Sequence, residues 1–401
     1  MSFKSDFPIL SKKIRNYPIT YLDSAASTQK PNSVIESLTN FYENSYENVH
    51  RGMNSLSISA TDQFERTRES VKDFINAKSS KEVIFTRGAT DSINIIANSL
   101  IKEFQDGGQV VITELEHHSN YLPWMKICDN SNLELKIVPV NENGIIDEQQ
   151  IIDICSDTTK ILAITHMSNV TGQILDIKKI KSSISKDILI ALDGCQSIAH
   201  CNIDVQDLDC DFYSFSSHKL YGPSGVGILF GKQKILEEMD PPFLGGGMIN
   251  DVTLSTFSYA DLPNKFEPGT PPIEAVVGLN ASLEYLNKIN FYSYFEEENK
   301  MRNTLIERLK DIPSIQIYGI EKQINASSIV SFNIIDKNYN DISTVLDEYG
   351  IMNIVGQHCC QKKIKKMNIP GSCRASFGIY NDINDIDILV DSLEKTVKLL
   401  Q

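Results

Sequence analysis

The feature that most constrains the fold is a series of short apolar runs between about residues 80 and 235, each of which ends in polar residues. Four of these runs span residues 82–86, 110–113, 161–165 and 188–192. Near-continuous apolar strands separated by helical segments are typical of a largely parallel sheet that helices cover on both faces. In such sheets, ligands bind beyond the carboxyl ends of the strands. We therefore predict an α/β fold in which the polar residues after each run meet at one rim.

The pattern changes near residue 285. A long helical stretch at residues 291–309 is followed by short strands and a closing amphipathic helix, for which Asn381 is the expected N-cap. This pattern predicts a smaller α+β domain. We assign residues 18–284 to a large domain and residues 285–401 to the small one, and we expect residues 1–17 to pack on the small domain.

Charge and composition exclude several classes of function. The formal net charge of -14 argues against a nucleic-acid-binding protein, because phosphate neutralisation needs clustered lysine and arginine. One basic run, residues 362–366, is either a solvated loop or a docking site for an acidic partner. The N-terminus lacks the apolar core of a signal peptide, and no run of about 18 apolar residues occurs. We therefore expect a cytoplasmic protein with no membrane partner, and its eight cysteines, which form no CxxC pair, should mostly be reduced.

Lys219 is the strongest candidate for a covalent cofactor anchor. It follows a predicted strand at residues 211–215 and precedes a dense turn signal, Gly222–Gly225. A lysine held at a strand end among apolar and aromatic neighbours is partly desolvated, which makes its amine a usable nucleophile. A solvated loop lysine is the alternative, so the assignment depends on the residues around it.

Other strand ends supply the remaining parts of a pyridoxal phosphate site. Such a site needs a lysine, an acid at the ring nitrogen, a stacking surface and a phosphate cradle. Asp193 ends a buried run, and Gly88–Thr90 lies between a strand and a helix, where free backbone N–H groups favour a phosphate. His117 follows another strand and could stack on the ring or exchange protons with substrate. The His117–His118 pair lacks a third metal ligand at a local spacing, so we predict no metal site.

Taken together, the motifs of the chain resemble those of the fold-type I, class V pyridoxal phosphate enzymes, and among them the group II cysteine desulfurases of the Suf pathway. The resemblance runs from about Asp6 to the C-terminus, with the motifs in the same order. These motifs are Tyr21–Ser27, His50–Gly52, Arg87–Thr90, Glu116–His118, Ser168–Gly172, Asp193–Gln196 and Ser217–Pro223. The resemblance implies a large domain with a mainly parallel, seven-stranded sheet, a smaller C-terminal α+β domain, and a homodimer.

The resemblance also implies a cofactor-binding role for each matching residue. Lys219 would hold the cofactor covalently and later move the substrate Cα proton. Asp193 would bind the ring nitrogen, His117 would stack on the ring, and Gln196 would hydrogen-bond the ring hydroxyl oxygen. The phosphate would be held by Thr90, Ser216 and His218, with Thr270 reaching in from a second subunit.

The same resemblance implies the groups that bind and attack the substrate. Asn169 and Arg374 would hold the substrate carboxylate, a role suited to the planar guanidinium fork, and Arg51 is a further substrate-binding candidate. The family's nucleophilic cysteine lies in an Arg-Thr-Gly-His-His-Cys loop, and the corresponding segment here, residues 354–360, identifies Cys359 as the match. We expect the adjacent His358 to favour the thiolate.

Two residues of this loop depart from the family pattern. Ile354 stands where an arginine is usual, and Cys360 follows the nucleophile in place of a small apolar residue. The first change removes one cationic contact to the substrate or the loop. The second thiol either resolves the persulfide or is merely tolerated.

The predicted reaction is L-cysteine desulfuration, which yields L-alanine and a persulfide on Cys359. The resemblance implies that the sulfur then passes to an acceptor protein of the Suf pathway for iron–sulfur cluster assembly. Two alternatives stay open at this point. One is a selenocysteine lyase on the same scaffold, and the other, suggested by Ile354, is a weakly active sulfur-carrier or interaction scaffold.

Overall fold

The structure of the protein is a computed structural model that describes residues 3–102, 104, 106–321 and 324–400. Residues 1–2, 103, 105, 322–323 and 401 of the predicted segments lie outside the described residues. The strands are β1 (Lys13–Ile14), β2 (Tyr17–Pro18), β3 (Thr20–Tyr21), β4 (Val83–Thr86), β5 (Gly108–Thr113), β6 (Leu133–Val138), β7 (Thr159–Thr165), β8 (Leu189–Asp193), β9 (Phe212–Ser216), β10 (Gly227–Gly231), β11 (Ile249–Val252), β12 (Phe257–Tyr259), β13 (Ile315–Tyr318), β14 (Ile329–Ile334), β15 (Ile351–Met352), β16 (Ile354–Gly356) and β17 (Ser372–Ser376). The α-helices are α1 (Asn32–Asn44), α2 (Ser55–Phe74), α3 (Ala89–Leu100), α4 (His118–Asp129), α5 (Glu148–Ile154), α6 (Ile177–Ser183), α7 (Val205–Leu208), α8 (Gln233–Glu238), α9 (Ile273–Lys288), α10 (Phe295–Lys310), α11 (Tyr339–Glu348), α12 (Gln361–Lys366) and α13 (Ile383–Leu399).

A seven-stranded sheet forms the centre of the molecule, with the strand order β4-β10-β9-β8-β7-β5-β6. Strand β10 runs antiparallel to β4 and β9, and the other six strands run in one direction. The predicted α/β fold with a mainly parallel sheet is therefore confirmed.

Both faces of this sheet are buried, which explains the near-continuous apolar runs. Side chains alternate across a strand, so neighbouring residues belong to opposite faces. In β7, Ile161 and Ala163 pack in one core cluster, while Leu162 and Ile164 pack in the other. A strand covered on both sides needs apolar residues at every position, whereas a half-exposed strand would alternate.

The C-terminal part contains a four-stranded antiparallel sheet with the order β13-β14-β17-β16. A separate core cluster joins this sheet to α10, α11 and α13. The helical stretch predicted at residues 291–309 is divided in two: residues 291–294 form a short 3-10 helix, and α10 follows it. The predicted N-cap Asn381 is wrong by one residue, because Asp382 accepts the N–H groups of Asn384 and Asp385 at the start of α13.

The N-terminal segment connects the two sheet-containing parts. Strand β3 pairs with β15 in parallel, and the Phe7 ring packs on the rings of Tyr221, Tyr285 and Tyr380. Lys4 pairs with Asp385 at 2.7 Å. Within the described ranges, none of the helices is both long and apolar enough to span a bilayer.

Candidate active site

The carboxyl ends of β4, β5, β7, β8 and β9 point to the same edge of the central sheet, where a cavity of about 290 Å3 opens. Ten of the predicted site residues line this cavity: Thr90, His117, Asn169, Asp193, Gln196, Ser216, His218, Lys219, Cys359 and Arg374. The parallel topology brings these residues together although they are up to 284 positions apart, counting from Thr90 to Arg374. The predicted meeting of strand ends at one rim is thereby confirmed.

Lys219 ends a 3-10 turn, residues 217–219, that directly follows β9. The next turn is fixed by Tyr221, which is fully buried and adopts the left-handed conformation with φ 60°. Its backbone N–H donates to Thr28 Oγ1 at 2.8 Å, and its hydroxyl accepts the Ile379 N–H at 3.0 Å. A non-glycine residue persists in this conformation only where its surroundings hold it there. The half-buried Lys219 therefore extends from a rigid support.

Asp193 is the last residue of β8, at the middle of the sheet, and is only 5% exposed. One of its carboxylate oxygens accepts the Cys195 N–H at 3.0 Å. Gln196 follows in the same turn and donates its side-chain amide to the Ala25 carbonyl at 2.9 Å. A buried carboxylate at the floor of the cavity is placed to pair with a cationic ring nitrogen.

His117 caps the N-terminus of α4, and this role fixes its tautomer. Its Nδ1 accepts the Ser119 N–H at 3.1 Å, so the proton of the neutral ring lies on Nε2. Burial, together with the positive charge of Lys219, lowers the pKa of His117 to about 4. The ring is therefore uncharged near neutral pH, which suits a stacking surface.

The N-terminus of α3 forms a cradle next to β9 and β10. The Ala89 N–H donates to Ser216 Oγ at 2.8 Å, and the Thr90 hydroxyl bonds to the Ser119 hydroxyl at 2.7 Å. Gly227 permits this close approach, because a Cβ atom there would lie 2.4 Å from the Gly88 Cα. Hydroxyl groups and a helix N-terminus are the donors that a phosphate group favours.

Arg374 is buried on β17 and is oriented by two partners. Its Nη1 donates to the Asn169 carbonyl at 2.9 Å, and its Nη2 bonds to Asp23 Oδ1 at 3.2 Å. The Asp23 role was missed from the sequence, although the residue lies in the quoted Tyr21–Ser27 motif. An arginine fixed in this way presents a preorganised fork toward the cavity.

Cys359 is an exposed residue of a loop that closes one side of the cavity. Two hydrogen bonds dock the loop on the large sheet: the His118 N–H donates to the Cys359 carbonyl, and the Asn169 side-chain amide donates to the His358 carbonyl, both at 2.9 Å. His358 and Cys359 are both left-handed, with φ of 50° and 54°. Two consecutive non-glycine residues in this conformation persist only where the surrounding contacts hold them, so the position of Cys359 is set by the structure around it.

The two neighbours of Cys359 are both buried. Burial lowers the pKa of His358 to about 3, and its Nε2 bonds to Ser372 Oγ at 3.0 Å. A neutral imidazole gives no cationic stabilisation, so the structure does not support the expectation that His358 favours the thiolate. Cys360 is 1% exposed and donates to Asn169 Oδ1 at 3.1 Å, and burial raises the pKa of its thiol to about 12.

Lys363 belongs to the basic run 362–366, and the expectation of a solvated loop there is wrong, because the run lies on helix α12 and Lys363 faces inward. It is fully buried, and its Nζ donates to Ser168 Oγ at 2.8 Å and to Thr171 Oγ1 at 3.1 Å. Burial lowers the pKa of this amine to about 7. The bonds attach α12, and with it the Cys359 loop, to the loop that carries Asn169.

Three further predicted residues lie at two separate places: Ile354 at the Lys219 cavity, and Arg51 and Thr270 at another cleft. Ile354 lines the cavity and pairs with Arg374 in the β16–β17 register, so an apolar wall stands where the family has a cation. Arg51 and Thr270 are exposed and line a second cleft, together with Gly246 and Gly247. Within one chain, the structure does not bring these two residues to the Lys219 cavity.

In the described part of the chain, no group of three or more His, Cys, Asp or Glu residues is arranged to hold a metal ion.

Comparisons with known proteins agree with this geometry. The chain matches the family model Aminotransferase class-V over residues 20–389. It is 39% identical over 400 residues to a cysteine desulfurase of Serratia proteamaculans (strain 568), with 99% of this chain and 98% of that protein covered. A cysteine desulfurase of Pectobacterium carotovorum subsp. carotovorum (strain PC1) is 40% identical with the same coverage.

Two solved structures are similar over nearly the whole chain. The cysteine desulfurase CsdA from Escherichia coli, in an S-sulfonic acid form, has a TM-score of 0.90 at 33% identity, covering 99% of this chain and 98% of its own. The apo cysteine desulfurase from Thermococcus onnurineus NA1 has a TM-score of 0.93 at 31% identity, covering 98% and 97%.

Proposed function

This chain belongs to the aminotransferase class-V family, and from that membership we propose that it is a pyridoxal-phosphate-dependent cysteine desulfurase of the Suf type. It converts L-cysteine to L-alanine, holds the sulfur as a persulfide on Cys359, and supplies it for iron–sulfur cluster assembly. The observation that carries this proposal is the position of Cys359, an exposed thiol on a strained loop that lines the same cavity as Lys219 and Asp193.

The donor set of the cavity fits pyridoxal phosphate. Asp193 offers a carboxylate for the ring nitrogen, the neutral His117 ring offers a stacking face, and Lys219 offers the anchoring amine. The phosphate and the ring hydroxyl are assigned to Thr90, Ser216, His218 and Gln196. When bound, the cofactor would withdraw electrons from the substrate, which would make the Cα proton acidic and stabilise the electron pair that stays on the substrate carbon when the C–S bond breaks.

Each chemical step is assigned to a side chain of this protein. Arg374, oriented by Asp23, binds the substrate carboxylate, and Asn169 supports it. Lys219 Nζ removes the Cα proton. Cys359 Sγ attacks the substrate sulfur, so an S–S bond forms as the C–S bond breaks, and the substrate carbon keeps the electron pair and takes up a proton to give alanine.

The proposal also covers the domain boundaries, the oligomeric state and the cellular compartment of the enzyme. Residues 18–284 form the cofactor-binding domain and residues 285–401 the smaller domain, with the N-terminal segment packed against both. The active form is a homodimer, in which Thr270 and Arg51 complete the site of the other subunit. The eight cysteines are all free, which supports a reducing compartment, the cytoplasm.

Replacement of the nucleophile tests this function. We expect Cys359→Ala to keep the visible absorption band of the bound cofactor but to lose alanine and sulfide production, because only the sulfur acceptor is removed. Cys128→Ala, at a half-buried thiol that does not line the cavity, is the matched control and should keep parent activity. Alanine formation by Cys359→Ala at the parent rate would show that the nucleophile is misassigned.

A further inference from the structure

Three exposed lysines follow the nucleophile on α12. Lys362, Lys365 and Lys366 are exposed, whereas Lys363 and Ile364 between them are buried. The spacing i, i+3, i+4 places the three on one face of the helix. We call these three residues the α12 lysine patch.

The direction of the patch is fixed by the buried side of α12. Ile364 packs with Val170 and Cys360, and Lys363 is hydrogen-bonded to Ser168 and Thr171. The helix therefore cannot rotate its lysines away from solvent. The patch begins three residues after Cys359, and the helix that carries it is about 9 Å long at a rise of about 1.5 Å per residue.

The charge of the patch contrasts with that of the chain. The formal net charge is -14, and many lysines of the described residues form ion pairs, such as Lys72 with Glu69 and Lys232 with Asp211. Within the same residues, none of the described ion pairs involves a lysine of the α12 patch. Three like charges on one face repel each other, and an anionic partner would remove this repulsion.

Resting on the proposed function, we propose that the α12 lysine patch docks the sulfur acceptor, a protein whose receiving cysteine lies among acidic residues. Docking brings the acceptor thiolate to the Cys359 persulfide. The acceptor sulfur attacks the outer sulfur, a new S–S bond forms on the acceptor, and Cys359 leaves as a thiolate that regains a proton. No further oxidant or reductant is needed, because one persulfide is exchanged for another.

Peptide acceptors of defined charge test this docking surface. The holoenzyme is first treated with L-[35S]cysteine, the Cys359 persulfide is quantified by mass spectrometry, and free cysteine is removed. Two peptides of equal length are then added, each with one central cysteine, flanked either by glutamates or by serines. We expect label to reach the glutamate peptide about tenfold faster per persulfide at low salt, and this preference to vanish at high salt.

The variant Lys362→Glu/Lys365→Glu/Lys366→Glu should lose this preference. The matched control, Lys186→Glu/Lys234→Glu/Lys398→Glu, makes the same charge change at exposed lysines of other segments and should retain it. Equal rates for the two peptides with the parent, or an unchanged preference in the α12 variant, would refute the docking surface while the persulfide itself is still observed. Absence of the persulfide from the parent would overturn the proposed function, and the docking surface with it.

Discussion

At the scale of single residues, Arg374 is the side chain that we propose binds the substrate carboxylate. Two of its three guanidinium nitrogens already have protein partners, Asn169 and Asp23. In the described structure, its Nε is buried without a partner. A buried N–H group without a partner is costly, and we propose that the substrate carboxylate supplies this partner together with the remaining N–H groups of the fork.

We predict that Arg374→Lys raises KM for L-cysteine about 10- to 100-fold, because an ammonium group cannot form the same fork and a hydrogen bond to a charged group contributes about 1.5–3 kcal/mol. Steady-state alanine production measures the effect. Arg302→Lys is the control, since Arg302 is equally buried but bonds the Ile329 carbonyl outside the cavity. Equal KM values for the two variants would contradict the carboxylate role.

Residues that follow a strand could be predicted from the sequence, and residues that act through a distant partner could not. Asp193 and Lys219 are recognisable because a parallel sheet places every strand end at one rim. Asp23 supports Arg374 from 351 positions away. The neutrality of His358 depends on burial by other segments, which no local pattern reveals.

At the scale of elements, α12 depends on a buried amine. Lys363 has a lowered pKa of about 7, because burial disfavours its charge, with Cys360 and Glu116 as charged or titratable neighbours. Between pH 7 and about 10.4, the unfolded chain therefore binds a proton that the folded chain does not. Folding stability then rises with pH, and this one group contributes about 1.4 kcal/mol per pH unit.

We predict that Lys363→Met reduces this rise, since methionine has no proton to bind. The measurement is urea unfolding at pH 7.5 and pH 9.5 for the parent and the variant. The lost bonds to Ser168 and Thr171 lower stability at both pH values, so the difference between the two, and not either value alone, is the readout. Lys362→Met, at the exposed neighbouring residue, should keep the parent slope; an unchanged slope in Lys363→Met would disprove the linkage.

The element boundaries show the limit of local patterns. The closing helix α13 was placed correctly by its apolar stripe, but its cap is Asp382 and not Asn381. Both residue types are good N-caps, so propensity does not separate them. The choice is made by tertiary contacts, because the Asn381 side chain donates to the Tyr21 carbonyl and to Asp385.

At the scale of the whole molecule, the second cleft is the feature that supports the proposed homodimer. Thr270 and Arg51, expected at the phosphate and the substrate, lie together in a cleft separate from the Lys219 cavity. A symmetric dimer that brings this cleft to the partner's cavity would complete both sites at once. The nearby hairpin of β11 and β12 carries exposed apolar residues, including Leu254 and Val252, which a monomer would leave in water.

Complementation between two defective variants tests this arrangement. In a Lys219→Ala dimer both sites lack the anchor, and in a Thr270→Ala dimer both sites lack the hydroxyl supplied across the interface. A mixed dimer places both changes in one site and leaves the other intact, provided that Thr270 serves the opposite subunit. Equal mixing makes half of the dimers mixed, and each mixed dimer has one intact site, so activity should reach about a quarter of the parent value plus half the average of the two variants measured alone. The mixed dimers are made by refolding the two variants together. If Thr270 serves its own subunit, each mixed dimer holds one defective site of each kind, and the activity of the mixture would equal the average of the two variants measured alone.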